Sequence, residues 1–94
     1  MTNAEIARIF LDIAEMLKLK KDNIFKIRAY EKVAHAIQEL PEDVATLVAE
    51  GRLEEIPGVG EAITKKLTEL VTTGRLGYYE RLKAELAEKQ QAQG

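Results

Sequence analysis

Apolar residues return at steps of three and four along almost the whole chain. Ile6, Phe10, Ile13 and Leu17 form the first stripe, preceded by Thr2 and Glu5 in capping-box spacing. That pattern predicts a helix over roughly 3–18. Asp22 and Asn23 interrupt it and supply caps for a second helix, whose apolar face is Ile27, Tyr30, Val33, Ala34 and Ile37. Leu40-Pro41 stops that helix, because proline cannot continue one and disfavours helical geometry in the residue before it. Glu42-Asp43 opens a short third helix with Val44, Leu47 and Val48, ending at Gly51. One further turn is expected over 52–55. A fourth helix is predicted from Glu61 to Thr73, stopped by Gly74, and a fifth from about Gly77, carrying Tyr79, Leu82 and Leu86.

No segment alternates with period two, so the expectation is an all-α fold, a compact bundle of four to five short helices. Residues 1–88 read as one domain and 89–94 as a frayed tail without an apolar face. At 94 residues and 46% hydrophobic composition, the chain supports one small core. It has no cysteine and one histidine, His35, which excludes disulfides, thiolate metal sites and histidine-rich ones. A cytoplasmic setting is the simpler expectation. No apolar run approaches the roughly 20 residues that span a bilayer, and the start does not read as a signal peptide, so no membrane is expected.

The net charge of −2 hides an asymmetry. Between 18 and 32, Lys18, Lys20, Lys21, Lys26, Arg28 and Lys32 face only Asp22 and Glu31. Between 33 and 56 the balance reverses, with Arg52 against Glu39, Glu42, Asp43, Glu50, Glu54 and Glu55. One basic and one acidic face are permitted, although charge runs also serve as plain solvated surface.

The stretch EIPGVGEAITKKL, over 55–67, concentrates the chemistry. Glycine at Gly58 or Gly60 allows positive φ and lets a backbone approach something outside the protein. With Val59 between them, N–H groups can converge at the positive end of the fourth helix, a place suited to phosphate. A tight turn between helices needs glycine too, so Gly-x-Gly alone decides nothing. The full string, followed by Ala62, Ile63 and Leu67 at helical spacing, resembles the helix-hairpin-helix motif, which grips a DNA backbone without reading sequence.

At about 100° per residue, Lys65 falls opposite the apolar face of the fourth helix, within reach of Glu69, whereas Lys66 falls on its shoulder, roughly 85° from the centre. An amine on that shoulder is partly desolvated and has a second cation beside it in sequence. Both effects favour the neutral, nucleophilic form that attacks a sugar aldehyde. The competing reading is a lysine that merely snorkels. Tyr30 reads as a core aromatic whose hydroxyl needs one partner. The carboxylates form no pair or metal triad, so the chain by itself should not be a nucleotidyl transferase.

Taken together, FKIRAY over 25–30, Leu40-Pro41, the hairpin over 56–60 and TGRL over 73–76 resemble the amino-terminal domain of family X DNA polymerases. The likeness is to the DNA polymerase beta type, especially its bacterial members, and it covers nearly all of 3–88. It implies binding of gapped or nicked DNA at the 5′-phosphate side in repair or synthesis, in a cytoplasmic, nucleoid-associated setting. Several members also remove a 5′-deoxyribose phosphate through a lysine Schiff base. The lyase lysine falls on Lys66, a lyase-pocket tyrosine on Tyr30, and a basic residue near the 5′-phosphate on Lys26.

The resemblance also implies a monovalent cation, Na+ or K+, on the backbone carbonyls of Glu54, Ile56 and Val59, with no other cofactor required. Gly58, Val59 and Gly60 would hold phosphate, with Lys26, Arg28, Lys65 and Arg75 supplying charge. Where animal relatives carry basic residues, this chain has Glu54, Ala62 and Tyr78, and Phe25 stands for a histidine, so the pocket is less basic. Fingers, palm and thumb are missing from these residues. The expectation is a monomeric module with polymerase domains elsewhere in a parent chain. The alternative of another class is a non-catalytic DNA-binding or protein-interaction domain, with Lys66 structural and 39–55 facing a partner.

Overall fold

The computed structural model describes residues 1–93, with side chains through Lys89; Gly94 lies outside the described residues. Five α-helices follow in order: α1 (Asn3–Leu19), α2 (Ile24–Gln38), α3 (Val44–Ala49), α4 (Glu61–Thr73) and α5 (Gly77–Gln93). A single 3₁₀ turn, Leu53–Glu55, precedes the hairpin. Among the described residues there is no strand. The fold is all-α, as the periodicity implies.

Local chemistry sets the helix ends. In α1 the capping box forms, the Glu5 N–H donating to Thr2 Oγ1 at 3.1 Å and the Thr2 N–H to Glu5 Oε1 at 3.0 Å. Asn23 Oδ1 accepts from the Phe25 N–H at 2.7 Å and caps α2. α3 opens where Glu42-Asp43 implies, with Asp43 as its N-cap residue. The Asp43 side chain makes no cap. Instead Asn3 reaches across from α1, its Oδ1 accepting the Val44 N–H at 2.9 Å and its Nδ2 donating to the Glu42 carbonyl at 2.8 Å.

α1 and α2 form the main pair, with Phe10, Ile13, Leu17, Val33 and Ile37 buried between them and the rest of the core. Leu47, Ile56, Leu67 and Leu76 close it from the hairpin side. α5 is fastened to α1 by buried Leu82 and by the Tyr79 hydroxyl, which donates to Asp12 Oδ2 at 2.8 Å. α5 is helical through Gln93. Lys, Gln and Ala are good helix formers and nothing breaks the run before Gly94, so α5 propagates without an apolar face.

Candidate nucleic-acid interface

The hairpin is built from both ends. Buried Ile56 anchors its entry, and half-buried Val59 packs against the core. Between them Pro57 and Gly58 form a turn closed by the Val59 N–H on the Ile56 carbonyl at 3.2 Å. Gly58, at the third position, has φ +86°, the type II pattern. Of the two glycines, only Gly58 takes positive φ. Gly60 is extended, with φ −104° and ψ −170°, and stands as the N-cap of α4 with no side-chain cap. A Cβ on Gly60 would meet nothing within 4 Å, so its approach is open.

Among the described residues, the Gly58 and Gly60 N–H groups donate to no protein acceptor. Val59, expected to contribute a phosphate contact, has its N–H engaged by the turn itself. The Glu54 and Val59 carbonyls accept no bond from a described donor, and Ile56 O keeps one lone pair beside the Val59 bond. No cluster of His, Asp and Glu able to hold a metal exists among the described residues.

Along α4 the two lysines part as helical geometry requires. Lys65 is solvent-exposed and pairs with Glu61 at 3.7 Å, not with Glu69. The Glu69 carboxylate is engaged elsewhere, accepting the Gly77 N–H at 2.9 Å where α5 begins. Lys66 is half-buried, about 9 Å along the axis from Gly60 at the usual helical rise. Its ammonium stands 4.8 Å from the centroid of the Tyr78 ring. Lys26, from α2, stands 5.8 Å from the same centroid and also pairs with Asp22 at 3.7 Å.

Burial first, and then repulsion from Lys26 and Arg81, holds the Lys66 amine below the ordinary lysine value, against an opposing pull from Glu69. The neighbouring cation that matters is therefore Lys26, and not Lys65 as sequence adjacency suggested. Lys65 points away.

Tyr30 lies beneath this group. It is buried, its ring stacks on Tyr78 at 6.1 Å and 15°, and Phe10 lies 5.7 Å beyond it. Burial pushes the Tyr30 hydroxyl well above the ordinary phenol range. The Tyr78 hydroxyl is buried with no hydrogen-bond partner. Tyr78 and Arg81 stand beside Lys66 although sequence reasoning did not assign them to the candidate site; the sole signal was an aromatic at a family position that carries a base.

Lys26, Tyr30 and Lys66 thus converge, close to the hairpin. Arg75 does not join them. It sits past the far end of α4, about 20 Å from Gly60 along the axis, ion-paired with Glu80. There it lines a cavity of about 180 Å³ together with Ile9, Leu70, Tyr79 and Lys83. Arg28 is exposed and makes no ion pair among the described residues; it lies about 160° around α2 from Lys26. No described helix is long and apolar enough to cross a membrane.

The arrangement offers free N–H groups at a helix start with cations beside them, which suits a phosphate backbone and reads no bases. In agreement, the family model described as "Helix-hairpin-helix domain" matches residues 1–76, ending just before α5 and so before Tyr78. The chain belongs to the helix-hairpin-helix domain family and is a DNA-binding module that does not select sequence.

Proposed function

We propose that this module docks on gapped or nicked DNA by its backbone and 5′-phosphate, in repair or synthesis, and acts there as a 5′-deoxyribose-phosphate lyase. The resemblance to the amino-terminal domain of family X DNA polymerases supports this reading, in which the module is a monomer with polymerase domains in a parent chain. The observation that carries the chemistry is the half-buried Lys66 amine, held below its ordinary pKa beside Lys26 and Tyr78.

In this reading the free N–H groups at Gly58 and Gly60 hold a phosphate, and Lys26 sits toward the 5′-phosphate. A Na+ or K+ ion on the Glu54, Ile56 and Val59 carbonyls would fit the lone pairs left free there. The neutral Lys66 amine adds to the C1′ aldehyde, and loss of water gives the imine. A proton then leaves C2′ and the C3′–O3′ bond breaks, so the DNA departs with its 5′-phosphate. Water hydrolyses the imine and regenerates Lys66.

The contact with Tyr78 also favours a second reading. A cation resting on an aromatic ring is a stable structural arrangement, and Lys66 would then serve packing in a non-catalytic DNA-binding domain. Borohydride trapping on gapped DNA bearing a 5′-deoxyribose phosphate separates the two, with Lys66→Ala and Lys65→Ala in parallel. A covalent adduct lost only in Lys66→Ala is the expected result. Absence of adduct with DNA bound would leave the binding module alone.

A further inference from the structure

Gly58 turns its open side toward α2. A Cβ built on it would stand 3.3 Å from Lys32 Cδ, 3.5 Å from Cγ and 3.6 Å from Cε. The aliphatic stem of Lys32 therefore lies along the hairpin turn, brought there from the other half of the motif-bearing domain. Elsewhere in the basic stretch, Lys18, Lys20 and Lys26 are each ion-paired. Lys32 is exposed and pairs with no carboxylate among the described residues.

A lysine stem on a protein surface with its head in water is ordinary. The place is what gives this one a consequence. The stem ends beside a turn whose Gly58 and Gly60 N–H groups have no protein acceptor. Those N–H groups are directional but carry only partial charge. An ammonium delivered to the same spot adds a full charge, and its rotatable donors adapt to the remaining phosphate oxygens. It also offsets Glu54, which precedes the hairpin and, unlike Glu55 and Glu61, forms no ion pair among the described residues.

We propose that Lys32 is a phosphate-clamp residue of the hairpin, lying over Gly58 so that its ammonium and the hairpin N–H groups hold one DNA phosphate between them. The proposal rests on the reading that those N–H groups take a backbone phosphate. It explains why position 58 has no side chain beyond its φ: a methyl there would push the Lys32 stem aside.

The test is fluorescence anisotropy of a labelled duplex with a one-nucleotide gap, titrated across NaCl concentration. The proteins are wild type, Lys32→Met, Lys32→Arg and, as a control for overall charge, Lys89→Met on exposed α5. Methionine keeps most of the stem and removes the charge. Lys32→Met should weaken binding about three- to tenfold at low salt and make the slope of log K against log[salt] shallower by about 0.9, the loss of one phosphate contact. Lys32→Arg should restore the slope, and Lys89→Met should leave it unchanged. A Lys32→Met protein with wild-type melting temperature and wild-type slope would make Lys32 a packing residue and overturn the proposal. Wild-type binding that ignores salt would instead overturn the hairpin reading, and this proposal with it.

Discussion

The Lys66 ammonium stands 4.8 Å from the centroid of Tyr78, on the ring that Lys26 also approaches at 5.8 Å. Two opposed effects meet in that contact. The ring's quadrupole favours a charged amine by about 0.5–2 kcal/mol, while burial and the nearby Lys26 and Arg81 disfavour it. Burial and the two cations together outweigh the opposing pull of Glu69, and the titration measures whether they also outweigh the ring. A 13C-methyl titration after reductive methylation should place the Lys66 midpoint below the ordinary value of 10.5. Lys26→Met should move that midpoint up. If the proposed lyase reaction runs through Lys66, imine formation at neutral pH should then slow by about threefold for each half unit, because only the neutral amine adds. A wild-type midpoint at or above 10.5 would remove the basis for a poised nucleophile.

Gly58 and Gly60 should separate stability from binding. At Gly58, φ +86° is left-handed backbone and an added methyl meets the Lys32 stem, so Gly58→Ala should cost about 1–2 kcal/mol of stability. For a domain of this size that is a fall in Tm of roughly 4–8 °C per kcal/mol. At Gly60 the backbone is extended and nothing lies within 4 Å, so Gly60→Ala should lose no more than about 1 kcal/mol, the difference between glycine and alanine at an N-cap. Its DNA affinity should nevertheless drop severalfold, since the methyl would stand in the open approach proposed for phosphate. Equal affinity for Gly60→Ala and wild type would argue against contact at this end of α4.

These contrasts mark what the sequence could and could not disclose. Helix period and breakers are local, and they placed α4 at its observed ends and α1 within one residue of its own. The hairpin string was equally legible, being contiguous. What escaped depends on folding distant segments together. Asn3 caps α3 from α1, and no spacing rule links those positions. Lys65 had a glutamate four residues away on either side; only the fold, by giving Glu69 to the Gly77 N–H, leaves Glu61 as its partner. Tyr78 reads in sequence as a missing basic residue, and the structure sets its ring beneath two others.

Glu61 gives a direct probe of the backbone donors. It occupies the first position of α4 and opposes phosphate through its charge. Glu61→Ala should therefore raise DNA affinity about two- to threefold at low salt, an effect that fades as screening grows. Proline at that position is compatible with the helix and with extended Gly60 before it, yet it removes the N–H. Affinity of Glu61→Pro below that of Glu61→Ala, at unchanged helicity by circular dichroism, would report a backbone donor in the interface. Equal affinities would exclude this one.

Lys21 is the only non-glycine residue with positive φ among the described residues, at +58°. It follows α1 in a Schellman-type end, where the Asp22 N–H donates to the Leu17 carbonyl at 2.9 Å. Glycine is the residue this conformation favours. Lys21→Gly should stabilise the fold by up to about 1 kcal/mol, read as a rise in the urea midpoint with unchanged slope. A destabilised variant would mean that the lysine side chain makes contacts worth more than the strain.

Arg52 governs how the acidic segment meets both acid and DNA. Its guanidinium bonds Glu42 at 3.1 Å and Glu55 at 2.8 Å, and also reaches Glu50, so one cation ties three carboxylates together beside the hairpin. The bond from Arg52 holds the Glu55 carboxyl below its ordinary value of 4.5. A carboxylate depressed in the folded state contributes stability that is fully present above its unfolded value and is lost as pH falls through the folded one. The wild-type advantage in Tm over Arg52→Met should therefore be constant above about pH 5 and close progressively below 4.5. A gap unchanged at pH 3 would show that Arg52 acts by packing alone. The same substitution leaves three carboxylates unneutralised on the segment that leads into the hairpin. DNA binding by Arg52→Met should weaken severalfold at low salt and recover toward wild type as salt screens the repulsion, a convergence that a misfolded variant would not show.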